Sequence, residues 1–202
     1  MSNSFQIDLF VEDVAHEEFM KAMISRLARE ENKPVTIRSR SARGGHGRAL
    51  TEFLFYQKAV ESGLAGMKKP DLLVVAIDAN CRRLTEARKE IEGQIRESFK
   101  HLTVIACPDP HIERWYLSDP TSFAKVVGCE PELPKRKCVR DYYKRLLASA
   151  VQAAGHPATL GGIEFARELV DEMNLYQAAR SDKALQDFLQ SSRSIMKKSL
   201  SS

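Results

Sequence analysis

Glu12, Asp78 and the pair Asp109 and Glu113 all stand just past the end of an apolar run. Glu12 follows Phe5–Val11 (FQIDLFV), and Asp78 follows the unbroken run Leu72–Ile77 (LLVVAI). Asp109 and Glu113 follow Leu102–Ala106 across Cys107 and Pro108. Short runs rich in β-branched residues read as strands buried on both faces of a parallel sheet. Parallel strands share one carboxyl edge, so these acids are expected to converge there. Carboxylates brought together repel unless a cation or a shared proton neutralises them. Hard divalent ions take oxygen ligands from carboxylates, water and phosphate. The set therefore reads as a metal site for phosphate chemistry. Taken singly, each acid also reads as an ordinary helix cap, and Asp13 and Asp119 are assigned to that role.

Two basic groups complement the acids. Arg38, Arg40, Arg43, His46 and Arg48 crowd a glycine-rich loop, SRSARGGHGR, that opens a helix. Backbone N–H groups there can cradle phosphate and the arginines can pair with it; a plain solvated loop is the equal alternative. The loop is neither a Walker A nor a dinucleotide fingerprint. Lys135, Arg136, Lys137, Arg140, Lys144 and Arg145 form the second group, with Lys137, Arg140 and Lys144 expected on one helix face. One lysine there could serve the scissile phosphate, although charged helix faces are ordinarily just solvated. His16, His101, His111 and His156 show no ligand spacing and read as surface or packing residues, His111 being the hardest to set aside.

The elements that must position these groups follow from periodicity. Ala15, Phe19, Ala22, Met23 and Leu27 mark a helix from about Asp13 to Glu31, ended by Asn32-Lys-Pro34. Val35–Arg38 reads as a second strand, and a helix carrying Leu50, Phe53, Leu54 and Val60 follows. After Asn80, the spacing of Leu84, Ala87, Ile91, Ile95 and Phe99 marks another helix face. The order β-α-β-α-β-α-β predicts an α/β fold with a four-stranded parallel sheet flanked by helices. Beyond Asp119 the text is helical: Thr121–Val127, Cys138–Ala154, Gly162–Met173 and Asp182–Leu189. The expected division is 1–119 as the α/β core, 120–190 as a helical extension against one sheet edge, and 191–202 as a flexible tail.

Composition limits the alternatives. The 202 residues are 43% hydrophobic, enough for a real core, and the formal charge of +4 permits nucleic-acid binding without demanding it. No run of eighteen apolar residues occurs, so no membrane span is expected. The N-terminus has no basic region leading into an apolar stretch, so it does not read as a signal peptide. Cys81, Cys107, Cys129 and Cys138 form no C-x-x-C pair, which disfavours zinc and points to reduced thiols in the cytoplasm.

The pattern LFVED-x3-E followed by VVAIDAN resembles a TOPRIM domain over roughly the first 115 residues. The stretch PDPHIERWYLSDP and the segment LGGIEFARELV are similar to small stand-alone TOPRIM-like proteins related to the OLD nucleases. The resemblance implies a TOPRIM-like sheet and Mg²⁺- or Mn²⁺-dependent cleavage of DNA or RNA. It also implies a place in antiviral defence beside an ABC- or SMC-type ATPase, with a homo-oligomer as one arrangement. Glu12 then matches the acid/base or metal-binding glutamate, and Asp78 the first acid of D-x-D. Asn80 stands where the second aspartate is usual. Its amide oxygen can ligate a cation but removes a charge, and Glu113 is the candidate to replace it. The implied metal set is Glu12, Asp78, Asn80 and Glu113. The nucleic-acid contacts expected from the two basic groups are Arg40, Arg43, His46, Arg48, Lys137 and Lys144. The rival reading is a non-catalytic nucleotide- or nucleic-acid-binding subunit whose acid pair has degenerated.

Overall fold

The computed structural model describes residues 4–42, 45–131, 133 and 138–198. Its centre is β1 (Phe5–Val11), which pairs in parallel with β2 (Val35–Ser41) on one side and β3 (Leu72–Ala76) on the other. A fourth strand, β4 (Thr103–Ala106), pairs in parallel with β3. The order β2-β1-β3-β4 means that the chain leaves β1 in one direction and returns past it in the other. The reversal falls between β1 and β3, where open α/β sheets bind ligands beyond the strand ends. Val11 lies opposite Ala76 in the register, so the residues following both strands emerge side by side.

Alternation along the strands builds two cores. Ile7, Leu9 and Val11 join Leu72, Val74 and Ala76 on one face, while Phe10, Leu73, Val75 and Ile77 occupy the other. Helix α1 (Val14–Glu30) covers the first face with Phe19, Met20, Met23 and Leu27. Helices α2 (His46–Glu61) and α3 (Leu84–Gly93) cover the second through Phe53, Val60, Ala87 and Ile91. Apolar residues at three- and four-residue spacing form one stripe on each helix, which is why these segments fold as amphipathic covers. Asp13 caps α1, its Oδ1 accepting from His16 N at 3.0 Å, and the helix stops where Asn32 turns left-handed ahead of Pro34.

The remaining helices are α4 (Glu113–Tyr116), α5 (Pro120–Val127), α6 (Tyr142–Ala153), α7 (Ala166–Glu172), α8 (Leu175–Ser181) and α9 (Lys183–Lys198). They pack on the α1 face, α7 against α1 and α9 against the edge strand β4. One continuous apolar cluster runs from Phe5 to Met196, so the helical part shares the core of the sheet. Trp115 joins the two parts, with its ring centroid 6.0 Å from both Phe19 and Phe188.

Three expectations change. The segment from Ser191, expected as a flexible tail, continues α9 to Lys198, because Ser192 and Met196 bury on its inner face. Helix α6 begins at Tyr142, so Arg140 precedes it and cannot share its face with Lys144. Cys81 and Cys138, expected as reduced thiols, form a disulfide across a separation of 57 residues, a pairing that no local spacing reveals. No helix among the described residues is long and apolar enough to cross a membrane.

Candidate metal centre

The site grows from the ends of β1 and β3. Glu12 N donates to Ala76 O at 3.1 Å, which extends the ladder one step and aims the side chain beyond the sheet. Past β3, Ile77 N donates to Ala106 O at 3.0 Å, Ala79 N to Pro108 O at 2.8 Å and Asn80 N to Pro110 O at 3.1 Å. Asp78 is thus held between two strand extensions. The chain then turns sharply, with Asn80 (φ 48°) and Cys81 (φ 68°) both left-handed. Asn tolerates this conformation, whereas a cysteine adopts it only when its surroundings impose it. The disulfide to Cys138 is one such constraint.

Glu12 and Asp78 meet directly: Asp78 N donates to Glu12 Oε2 at 3.3 Å. His16, in the first turn of α1, is fully buried beneath them. Its Nδ1 lies 2.8 Å from Asp13 Oδ1 and its Nε2 lies 2.9 Å from Asp78 Oδ1. His111 closes the other side, with Nδ1 3.1 Å from Asp78 Oδ2. Glu12, His16 and Asp78 offer ligand atoms that all lie within 4.8 Å of one another, a spacing that can hold a metal ion.

The electrostatics follow from this crowding. Burial raises the Glu12 pKa, the Asp78 charge raises it further, and His16 opposes both. Burial works against protonated His16, yet the charge of Asp78 and hydrogen bonds to Asp13 and Asp78 hold its pKa well above 6.5. Burial would raise Asp13, but its hydrogen bond to His16 brings it down to about 2. The hydrogen bond to Asp78 raises His111. Burial, then the Asp78 charge, raises Glu113. Burial pushes Cys107 up to about 12, which leaves a protonated, unreactive thiol behind β4. Perturbed groups of several kinds around one switch point are a functional-site signature.

The sequence-derived residues divide accordingly. Glu12 and Asp78 come together, and Glu113 at the start of α4 lies in the field of Asp78 but outside the close ligand set. Asn80 stands at the rim, its Nδ2 3.4 Å from His46 Nδ1 and 3.4 Å from Asp78 O. His46 opens α2 and approaches Glu90 Oε2 at 2.9 Å and an Arg82 guanidinium nitrogen at 2.6 Å. Arg40 lies over the Tyr56 ring at 5.1 Å, while Arg48 is exposed and pairs with Glu52 at 2.6 Å. Lys144 is exposed near the start of α6, a few residues beyond the Cys138 anchor. Arg43, Lys135, Arg136 and Lys137 lie outside the described residues.

His16, read from sequence as a surface or packing residue, is fully buried, and its imidazole joins Glu12 and Asp78 in the close group. The available signal was its place in the first turn after Glu12-Asp13: a helix starting at a strand end brings that turn back over the edge. Asp13 and Asp119 do act as caps, the latter accepting from Ser122 N at 3.3 Å. The fold and site define a four-stranded, all-parallel α/β protein with a carboxylate–histidine cluster at its switch point. Comparisons with protein-family models, curated proteins and solved structures give no match for this chain.

Proposed function

We propose that this protein is a metal-dependent nuclease that cleaves phosphodiester bonds of DNA or RNA at a TOPRIM-like site. The observation that carries the reading is the meeting of Glu12 and Asp78 at the reversal between β1 and β3, 3.3 Å apart through the Asp78 N–H. The resemblance in LFVED and VVAIDAN asks for a glutamate after the first strand and an aspartate after the third. A bound Mg²⁺ or Mn²⁺ would polarise the scissile phosphate and acidify water. Glu12, at the end of β1, is placed to orient or deprotonate the attacking water. His16 and His111 orient Asp78 from either side. Arg40, Arg48 and Lys144 offer cations to the nucleic-acid backbone. An ABC- or SMC-type ATPase partner and a part in antiviral defence belong to the same reading, through the same resemblance.

One observation favours the non-catalytic alternative. Asn80 replaces a carboxylate, and its amide nitrogen faces His46 at the rim. The test is cleavage of supercoiled plasmid DNA and labelled RNA with Mg²⁺ or Mn²⁺. Metal-dependent products that vanish with Asp78→Asn support the nuclease. Nucleic-acid binding without cleavage, with the ATPase partner also present, supports the alternative.

A further inference from the structure

The ligand set assigned from sequence consists wholly of oxygen donors. The folded site contains an imidazole, and its orientation is the informative feature. His16 points Nε2 at Asp78 and turns Nδ1 to Asp13, at 2.9 and 2.8 Å. Metal-bound histidines characteristically have this arrangement: one nitrogen faces the ion while a carboxylate holds the other nitrogen's hydrogen. Asp13 is held in place for that role as the cap of α1, its Oδ1 accepting from His16 N at 3.0 Å. A packing histidine needs no such aim into a group of carboxylates. Glu12 lies alongside, its Oε2 accepting from Asp78 N at 3.3 Å, and the ligand atoms of Glu12, His16 and Asp78 all lie within 4.8 Å of one another.

We infer that His16 Nε2 is a metal ligand alongside Glu12 and Asp78, that Asp13 is its positioning residue, and that the centre selects first-row transition ions over Mg²⁺ and Ca²⁺. The inference rests on reading this edge as a metal centre, but not on what the centre cleaves. Imidazole is a better donor to Fe²⁺, Co²⁺, Ni²⁺ and Zn²⁺ than to hard Mg²⁺ or Ca²⁺, and Mn²⁺ stands between them. The ion takes the place of the hydrogen shared by Nε2 and Asp78, and that proton leaves to solvent. Two carboxylates and one imidazole leave open positions for water and phosphate oxygen.

The experiment measures metal binding to the full chain without a substrate. Co²⁺, Mn²⁺, Mg²⁺ and Ca²⁺ are titrated by calorimetry, and Mn²⁺-loaded protein is studied by pulsed electron paramagnetic resonance for imidazole ¹⁴N coupling. The expected result is Co²⁺ binding at least about tenfold tighter than Mg²⁺, with ¹⁴N coupling that disappears in His16→Gln. Because His16 is buried and its replacement can unfold the protein, Asp13→Asn is the second variant. Asparagine keeps an acceptor for the helix cap while weakening the hold on Nδ1, and Kd for Co²⁺ should rise about 10–100-fold. Equal affinity for Co²⁺ and Mg²⁺ without ¹⁴N coupling would overturn the inference, and nucleic-acid cleavage under those conditions would leave the nuclease reading standing. Nitrogen-coupled metal with no cleavage would do the reverse. No binding of any ion would overturn both.

Discussion

Raising the pH of the metal-free protein from about 6.5 to about 7.5 should destabilise it. His16 has a folded pKa well above its ordinary 6.5, so its contribution is complete below that value and is lost as pH rises toward the folded pKa. Across the window the folded imidazole stays protonated while the unfolded one goes from about half protonated to about a tenth. The linked loss is RT ln(11/2), about 1 kcal/mol for this one group. His111 shifts in the same direction but is partly exposed, so solvent screening reduces its share. Glu12 and Glu113, also raised, lose their contribution as pH climbs from their ordinary 4.5 toward their folded values. Asp13, at about 2, is ionised throughout and adds nothing here. For a chain of this size the drop in Tm is about 2–4 °C. Calorimetric melts in EDTA at both pH values measure it, with His16→Gln as the control in which most of the slope should disappear. A wild-type stability that is flat or rises across this window would refute the buried imidazolium.

Other perturbations test separate features of the molecule. Asp78→Asn weakens two charge-assisted hydrogen bonds, to His16 and His111, and relieves repulsion with Glu12. Urea unfolding should show a net destabilisation of about 1–3 kcal/mol, and divalent ions should shift its melt less than they shift wild type. Asn80→Asp restores a carboxylate beside Asp78 and should tighten Mn²⁺ binding by calorimetry; weaker binding would remove Asn80 from the centre. Charge reversal of Arg40 and Arg48 should lower the slope of log affinity for DNA against log salt, by about one unit for each phosphate that the side chains no longer neutralise. In Gly162→Ala, where φ is 96°, the new Cβ would stand 2.8 Å from Leu147 Cγ, so denaturant melts should register a destabilisation of about 1–3 kcal/mol.

What could be read from sequence was what local chemistry determines. Leu72–Ile77 could hardly be anything but a buried strand, and parallel pairing brings its terminal acid beside the one following Phe5–Val11. The order β2-β1-β3-β4 was not legible, because it depends on which face each crossover covers, and apolar periodicity does not distinguish faces. His16 was missed for a related reason. One histidine on an apolar helix looks the same in sequence whatever it faces, and its partner Asp78 lies 62 positions away. The Cys81–Cys138 bond likewise joins distant positions. The length of α9 was underestimated because Ser192 is a polar residue on a buried stripe, which interrupts the pattern where the segment continues inward to Met196.

The central claim is that Glu12, His16 and Asp78 form one divalent metal centre. The direct measurement is an anomalous-difference map from crystals soaked in Mn²⁺. The expected peak lies between the Glu12 and Asp78 carboxylates and within coordination distance of His16 Nε2. Strong peaks elsewhere on the molecule with none between these three side chains would contradict it.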